Sequence, residues 1–264
     1  MLVSNQSLVG RNILITRTSD QAESTATDIR NRGGSPLLLP CLEMVCQEKN
    51  IRASKPVLEK GTGEVLFTSR NGVACVAAAL GDMFAPLLSS HQVTAVGEKT
   101  ATALSQLNVR ATMQPELASQ TGLVEAYKER GIPEQILFYR AEEGSDLLAD
   151  ALTASGCNVT TIHAYRMQCP DSDASAMIRK IELKEVDAVL LGSAKTVRNY
   201  LQRIGSLEVA NIPAIAVISR QVAKAAEEAG LSVQAVAKTA SFDAMLDALV
   251  DYFNDSGAEN HVSS

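Results

Sequence analysis

The 264-residue sequence has no Trp, and aromatics make up only 4% of it. Its cores must therefore be built from Leu, Val, Ile and Ala, a palette that suits buried parallel strands flanked by Ala-rich helices. A basic excess is also missing: 24 Lys plus Arg stand against 30 Asp plus Glu, a formal net charge of −6. No basic stripe is clustered anywhere, which argues against nucleic acid and leaves a small anionic ligand open. The five cysteines, Cys41, Cys46, Cys75, Cys157 and Cys169, are odd in number and form no C-x-x-C. No disulfide scaffold is expected, and the thiols are read as reduced. Three histidines (His91, His163, His261) keep no zinc-ligand spacing, so no metal is expected. The opening MLVSNQSLVGRN lacks a signal-type apolar stretch, and no run of about 18 apolar residues would span a membrane. The expected location is cytoplasmic, and the tail at 256–264 is expected to be mobile.

What is present is an internal repeat. ILITR (13–17) answers ILFYR (136–140), placing Arg17 and Arg140 at an offset of 123. VLFTSRNGV answers VLLGSAKTV, pairing Ser69 with Ser193 at 124; VTAVGEKTATAL answers IAVISRQVAKAA, pairing Gly97 with Ser219 at 122. Ser119 matches Ser241, again at 122. Strand-like runs near 13–17, 36–40, 64–68, 93–97 and 109–113 alternate with helical segments. The second copy repeats them near 136–140, 158–163, 186–191, 214–218 and 232–236. This alternation predicts two similar α/β units of flavodoxin-like size with parallel, doubly covered sheets. The runs at 35–46 and 157–169 are long for single strands. Either the chain crosses twice from one sheet to the other there, or two contiguous domains divide near 130.

Ligands of open α/β sheets gather at the strand carboxyl ends. Thr68-Ser69-Arg70-Asn71-Gly72, Gly97-Glu98-Lys99-Thr100, Gly192-Ser193-Ala194-Lys195 and Ser219-Arg220-Gln221 all fall there, and Arg17 and Arg140 end the first strand of each copy. These Ser and Thr residues read as helix N-caps or as donors to an anionic ligand; their convergence favours an anion-binding cleft. No phosphate loop, dinucleotide fingerprint or G-x-S-x-G elbow occurs. His163 reads as structural, and Cys75 as a core residue of an Ala-rich helix.

The ordered set LITR, FTSRNGV, AVGEKTA, ILFYRAEEGSDLLADALTASGCNVTTIHAYRM and VISRQVAKAAEEAGLSVQAVA resembles the uroporphyrinogen-III synthase family, bacterial type, over about residues 11–250. The resemblance implies a first domain of 1–39 plus 171–264 and a second of 47–163. Connectors at 40–46 and 164–170 would form a two-stranded link, with the cleft between the domains. It implies closure of hydroxymethylbilane with loss of water and inversion of ring D, without cofactor or metal. Tyr165 takes the place of the family's tyrosine and is the candidate proton donor, since a phenol is protonated at neutral pH. Binding carries over to Ser69, Thr100 and Ser193, with Arg17 added; Arg140 and Ser219 complete the set by their position in the repeat. The family's second-copy Thr-Ser is here Gly192-Ser193, and a Thr is lost at Val222. The acidic, aromatic-poor composition carries no interface signal, so a monomer is expected, with a transient contact to hydroxymethylbilane synthase. The rival readings are a non-catalytic two-domain binding or regulatory protein for an anionic ligand, and a transferase acting on another anionic metabolite.

Overall fold

The computed structural model describes residues 8–61, 63–117 and 119–261. In chain order the elements begin with β1 Asn12–Ile15, α1 Ser19–Asn31, β2 Ser35–Leu38, β3 Glu43–Cys46, α2 Glu48–Glu59 and β4 Glu64–Phe67. There follow α3 Arg70–Leu80, a 3₁₀ turn, α4 Phe84–Leu88, β5 Gln92–Ala95, α5 Glu98–Gln106, α6 Gln120–Arg130 and β6 Gln135–Ala141. Next come α7 Leu147–Ala154, β7 Asn158–Gln168, α8 Ser175–Glu182, β8 Ala188–Leu191, α9 Ala194–Ile204 and α10 Leu207–Ala210. The chain closes with β9 Ala214–Val217, α11 Arg220–Glu228, β10 Val233–Val236 and α12 Phe242–His261. The stretch expected to be mobile thus continues α12 as far as His261, and 262–264 lie outside the described residues.

Two compact units form, one from 1–43 and 168–264, the other from 44–167. The first holds a sheet in the order β10-β9-β8-β1-β2, the second one in the order β3-β7-β6-β4-β5. In the first unit β1 lies parallel to both β2 and β8, Ile13 facing Pro36 and Ala188. In the second, β4 lies parallel to β5 and β6, Glu64 facing Gln92 and Ile136. Each sheet therefore combines strands from both sequence copies. The order β2-β1-β8-β9-β10 is the flavodoxin-type arrangement, second strand beside first and the rest following.

The central strands are buried at every position: β8 is wholly apolar, and β4 is apolar after its first residue, Glu64. Val65, Phe67, Val93, Leu137 and Tyr139 face α2, α3 and α5 on one side of the second sheet, while Leu66, Ile136, Phe138, Leu123 and Leu152 pack on the other. The first sheet divides likewise, with Leu14, Val189, Leu191 and Tyr200 on one face and Ile13, Ile15, Leu190 and Leu246 on the other. Arg70–Leu88 is long and apolar enough by composition to cross a membrane. Its Val73, Val76, Phe84 and Leu88 are nevertheless buried in the second unit's core.

Two expectations need correction. The strand at 109–113 shrinks to one parallel bridge, Thr94 to Met113. Thr112 is the reason: its Oγ1 accepts the Val93 N–H at 3.0 Å, where a ladder carbonyl would otherwise stand. The matched position in the other copy behaves alike, Gln234 Oε1 accepting the Ile215 N–H at 2.7 Å beside a register shift in β10. The thiols, moreover, are not all reduced: Cys46 and Cys75 are disulfide-bonded, with Cα atoms 5.3 Å apart. They are 29 residues apart in sequence, and only the packing of β3 beside α3 brings them together. Cys41, Cys157 and Cys169 are free.

Candidate active site

The serines matched by the repeat are all helix N-caps. Ser69 accepts the Gly72 N–H at 3.1 Å, Ser193 that of Thr196 at 3.1 Å and Ser219 that of Val222 at 3.3 Å. Ser119 and Ser241 do the same for Gly122 and Ala244. Ser69, Ser119, Ser193 and Ser219 have the extended backbone an N-cap needs, and Ser69, Ser193 and Ser219 sit just past the end of a strand.

In the 44–167 unit the fold joins two candidates that are 96 residues apart: the Tyr165 hydroxyl lies 2.9 Å from Ser69 Oγ. The aim of Tyr165 comes from an irregularity in β7. Arg140 faces His163 and Ala141 faces Tyr165, leaving Ala164 as an extra, bulged residue. A bulge breaks the two-residue alternation and re-aims the side chains after it; Ala164 and Tyr165 are consequently both buried in the core that contains Val73. The neighbouring backbone is held firmly. Gln47 N–H donates to the Ala164 carbonyl at 2.8 Å, and Asn50 Nδ2 to that of His163 at 3.3 Å. The Glu142 N–H donates to the Tyr165 carbonyl at 2.9 Å.

Thr100 lies in the first turn of α5, buried, its N–H turned back to the Gly97 carbonyl at 2.9 Å. Beside it an open depression of about 480 Å³ is lined by Arg70, Glu98, Lys99 and Thr102. A cavity of similar volume, bounded by Glu64, Arg130 and Pro133, sits at the amino ends of the strands. There Glu64 is already bonded to Thr94, Tyr127 and Arg130. The carboxyl ends, which carry Ser69 and Thr100, are the side where such sheets bind ligands.

Arg140 is 4% exposed, and its guanidinium is largely committed to its own turn. It donates to the Ser145 carbonyl at 2.5 Å and pairs with Asp146 at 2.9 Å, while Nε has no partner. In the other unit Arg17 donates to Thr25 Oγ1 and Gln21 Oε1, both at 3.1 Å, and stacks 4.1 Å over the Phe242 ring. Burial lowers its pKa from the ordinary value, with Asp20 acting the other way. Ser193 Oγ also lies 2.8 Å from Thr196 Oγ1. Gly192 now has a reason: a Cβ there would stand 2.8 Å from the Phe242 ring, which fills the space a Thr side chain would need.

Thr18 escaped the sequence reading. It precedes α1, makes no side-chain cap bond, and its buried Oγ1 has no partner. Its spacing to Gln21 is that of a capping box, yet the box is not formed, and Gln21 Oε1 accepts from Arg17 instead. The described residues contain no cluster of three His, Cys, Asp or Glu side chains fit to hold a metal.

The sequence model of the family described as uroporphyrinogen-III synthase HemD matches residues 23–247. A porphyrin biosynthesis protein HemD of Ruminiclostridium josui is 25% identical over 92% of the chain, which spans 49% of that longer relative. The uroporphyrinogen-III synthase of Escherichia coli is 26% identical over 90% of the chain and 99% of its own length. Among solved structures, uroporphyrinogen-III synthetase from Helicobacter pylori gives a TM-score of 0.60 at 16% identity, covering 91% of this chain and 99% of that one. A mutant uroporphyrinogen III synthase from Thermus thermophilus gives 0.55 at 19%, covering 93% and 99%. At such identities the structural likeness speaks for the fold, and the family model speaks for descent. The chain belongs to the uroporphyrinogen-III synthase family.

Proposed function

We propose that this protein closes hydroxymethylbilane to uroporphyrinogen III, with Tyr165 as proton donor. The observation that carries the reading is the Tyr165–Ser69 hydrogen bond at the carboxyl end of the second unit's sheet, in a member of this family. Tyr165 gives its proton to the leaving hydroxyl, and water departs to leave a cationic azafulvene. Ring D attacks through its substituted carbon, and the spiro intermediate fragments and rejoins at the free position. The proton finally lost from the ring carbon restores the phenol, so the cycle consumes no external acid. Catalysis is then positioning plus one proton transfer.

The substrate's carboxylates are taken up by the strand-end turns, Ser69 and Thr100 in one unit and Ser193, Ser219 and Arg17 in the other. Arg140, buried in its own turn, acts by shaping that turn and reaches a carboxylate only after Asp146 is displaced. In this reading the protein works as a cytoplasmic monomer, needs no cofactor, and meets hydroxymethylbilane synthase transiently. The domain limits of 1–39 plus 171–264 and 47–163 belong to the same proposal.

The test is to supply fresh hydroxymethylbilane, oxidise the products and measure uroporphyrin III against uroporphyrin I. Dominant isomer III supports the reading, and Tyr165→Phe then lowers kcat by roughly 10²–10⁴. Isomer I alone from folded protein would overturn it in favour of a binding or regulatory role.

A further inference from the structure

The disulfide belongs to a closed ring of contacts around the Tyr165 hydroxyl. Cys46 ends β3 and is bonded to Cys75 in α3. Along α3, Cys75 lies six residues beyond Ser69, the cap that holds the Tyr165 hydroxyl at 2.9 Å. From Tyr165 the strand runs back one residue to the Ala164 carbonyl, gripped by the Gln47 N–H at 2.8 Å. Gln47 follows Cys46 directly, and the ring is complete. Three short stretches of chain, Cys46–Gln47, Ser69–Cys75 and Ala164–Tyr165, are joined into it by two hydrogen bonds and the sulfur–sulfur bond.

We propose that Cys46–Cys75 is a reversible thiol–disulfide site that sets the position of the Ser69–Tyr165 pair and thereby the rate of the enzyme. The inference rests on the reading of Tyr165 as proton donor. Cys75 is fully buried, whereas Cys46 is only partly buried, so Cys46 is the cysteine that the incoming thiolate attacks in this proposal. The reductant is a dithiol. Its first thiolate bonds to Cys46 Sγ and expels the Cys75 thiolate, which takes up a proton. Its second thiolate then attacks the mixed disulfide, releasing Cys46, which is protonated in turn. The dithiol leaves as a disulfide, having supplied two electrons and two protons, and a disulfide oxidant reverses the exchange.

Opening the bond removes the covalent tie between β3 and α3, so the position of the Ser69–Tyr165 pair rests on non-covalent packing and on its bonds to Gly72 and to each other alone. Catalytic geometry is sensitive to displacements of an ångström, so reduction lowers kcat on the order of tenfold with little change in KM.

Three readouts on the full chain test this. Protein treated with oxidised glutathione, then denatured and alkylated, takes up three labels, and protein treated with dithiothreitol takes up five, as one bond among five cysteines requires. Hydrogen exchange in the first turn of α3 and at 163–166 speeds up on reduction. Turnover falls and is restored by oxidised glutathione in the unsubstituted protein and in Cys169→Ser, whereas Cys46→Ser is locked at the lower rate. Five labels in both states, or exchange and turnover that ignore the bond, would overturn the proposal. Isomer III absent in both states, with labels and exchange changing as described, would overturn the synthase reading and leave the redox coupling of the pair standing.

Discussion

Replacing Ser69 by Ala should reveal that this hydroxyl does two jobs, and the structure sets the size of each. As N-cap it accepts the Gly72 N–H at 3.1 Å, a role worth about 1 kcal/mol. As partner of Tyr165, whose side chain is only 7% exposed, it contributes a hydrogen bond worth about another 1 kcal/mol. Because it also leaves the buried Tyr165 hydroxyl without its partner, Ser69→Ala should cost about 2–4 kcal/mol. Tyr165→Phe should cost about 1, because Ser69 keeps its bond to Gly72 and no buried group is orphaned. With the shared bond and the orphaned hydroxyl both removed, the double variant should cost about 2, giving a coupling of about 1–3 kcal/mol in magnitude. Chemical denaturation followed by circular dichroism, on all four proteins with the disulfide kept oxidised, measures the cycle. A coupling within the roughly 0.3–0.5 kcal/mol scatter of independent sites would refute the hydrogen bond as drawn.

Three other perturbations test separate parts of the molecule. Reducing Cys46–Cys75 releases a 29-residue loop, and the chain-entropy account gives about 3.5 kcal/mol lost; a melting temperature unchanged by dithiothreitol would contradict it. Tyr127→Phe removes one of three donors to Glu64, which is 2% exposed, and should cost about 1.5–3 kcal/mol in denaturant. Burial pushes the Tyr139 phenol up to about 12 against a small opposing effect of Ser54, and burial likewise raises the Cys41 thiol to about 12. Both groups stay protonated in the fold after the unfolded chain has ionised. Their stabilisation is therefore complete below the unfolded values, near pH 9–10, and is lost as pH rises towards 12. Melting temperatures that stay flat from pH 9 to 11 would be inconsistent with this.

Much of the site could be read before folding. The serine at each matched turn follows a β-rich run and precedes a helix, a local pattern, and local capping chemistry is what the structure realises at Ser69, Ser193 and Ser219. Arg140 is a candidate binding residue by its place at a strand end, but a sequence shows where a strand ends and not where a guanidinium turns; Ser145 and Asp146 hold it inward. The strand at 109–113 failed because Thr112 offers a side-chain oxygen that replaces a backbone acceptor. Propensity scales carry no information about such a competition.

The sequence by itself determined the two copies, the alternation of strand and helix, the parallel sheets and the capped turns. All of these follow from short-range periodicity, side-chain volume and local hydrogen bonding. Tertiary structure alone decided which half of each copy joins which sheet, since β1 has fully buried, mainly apolar strands available in both β4 and β8 and pairs with β8. It also decided the Cys46–Cys75 bond and the meeting of Ser69 with Tyr165. Contacts across 29 and 96 residues leave no periodic trace, because they depend on where whole strands and helices pack and on a single bulged residue, Ala164.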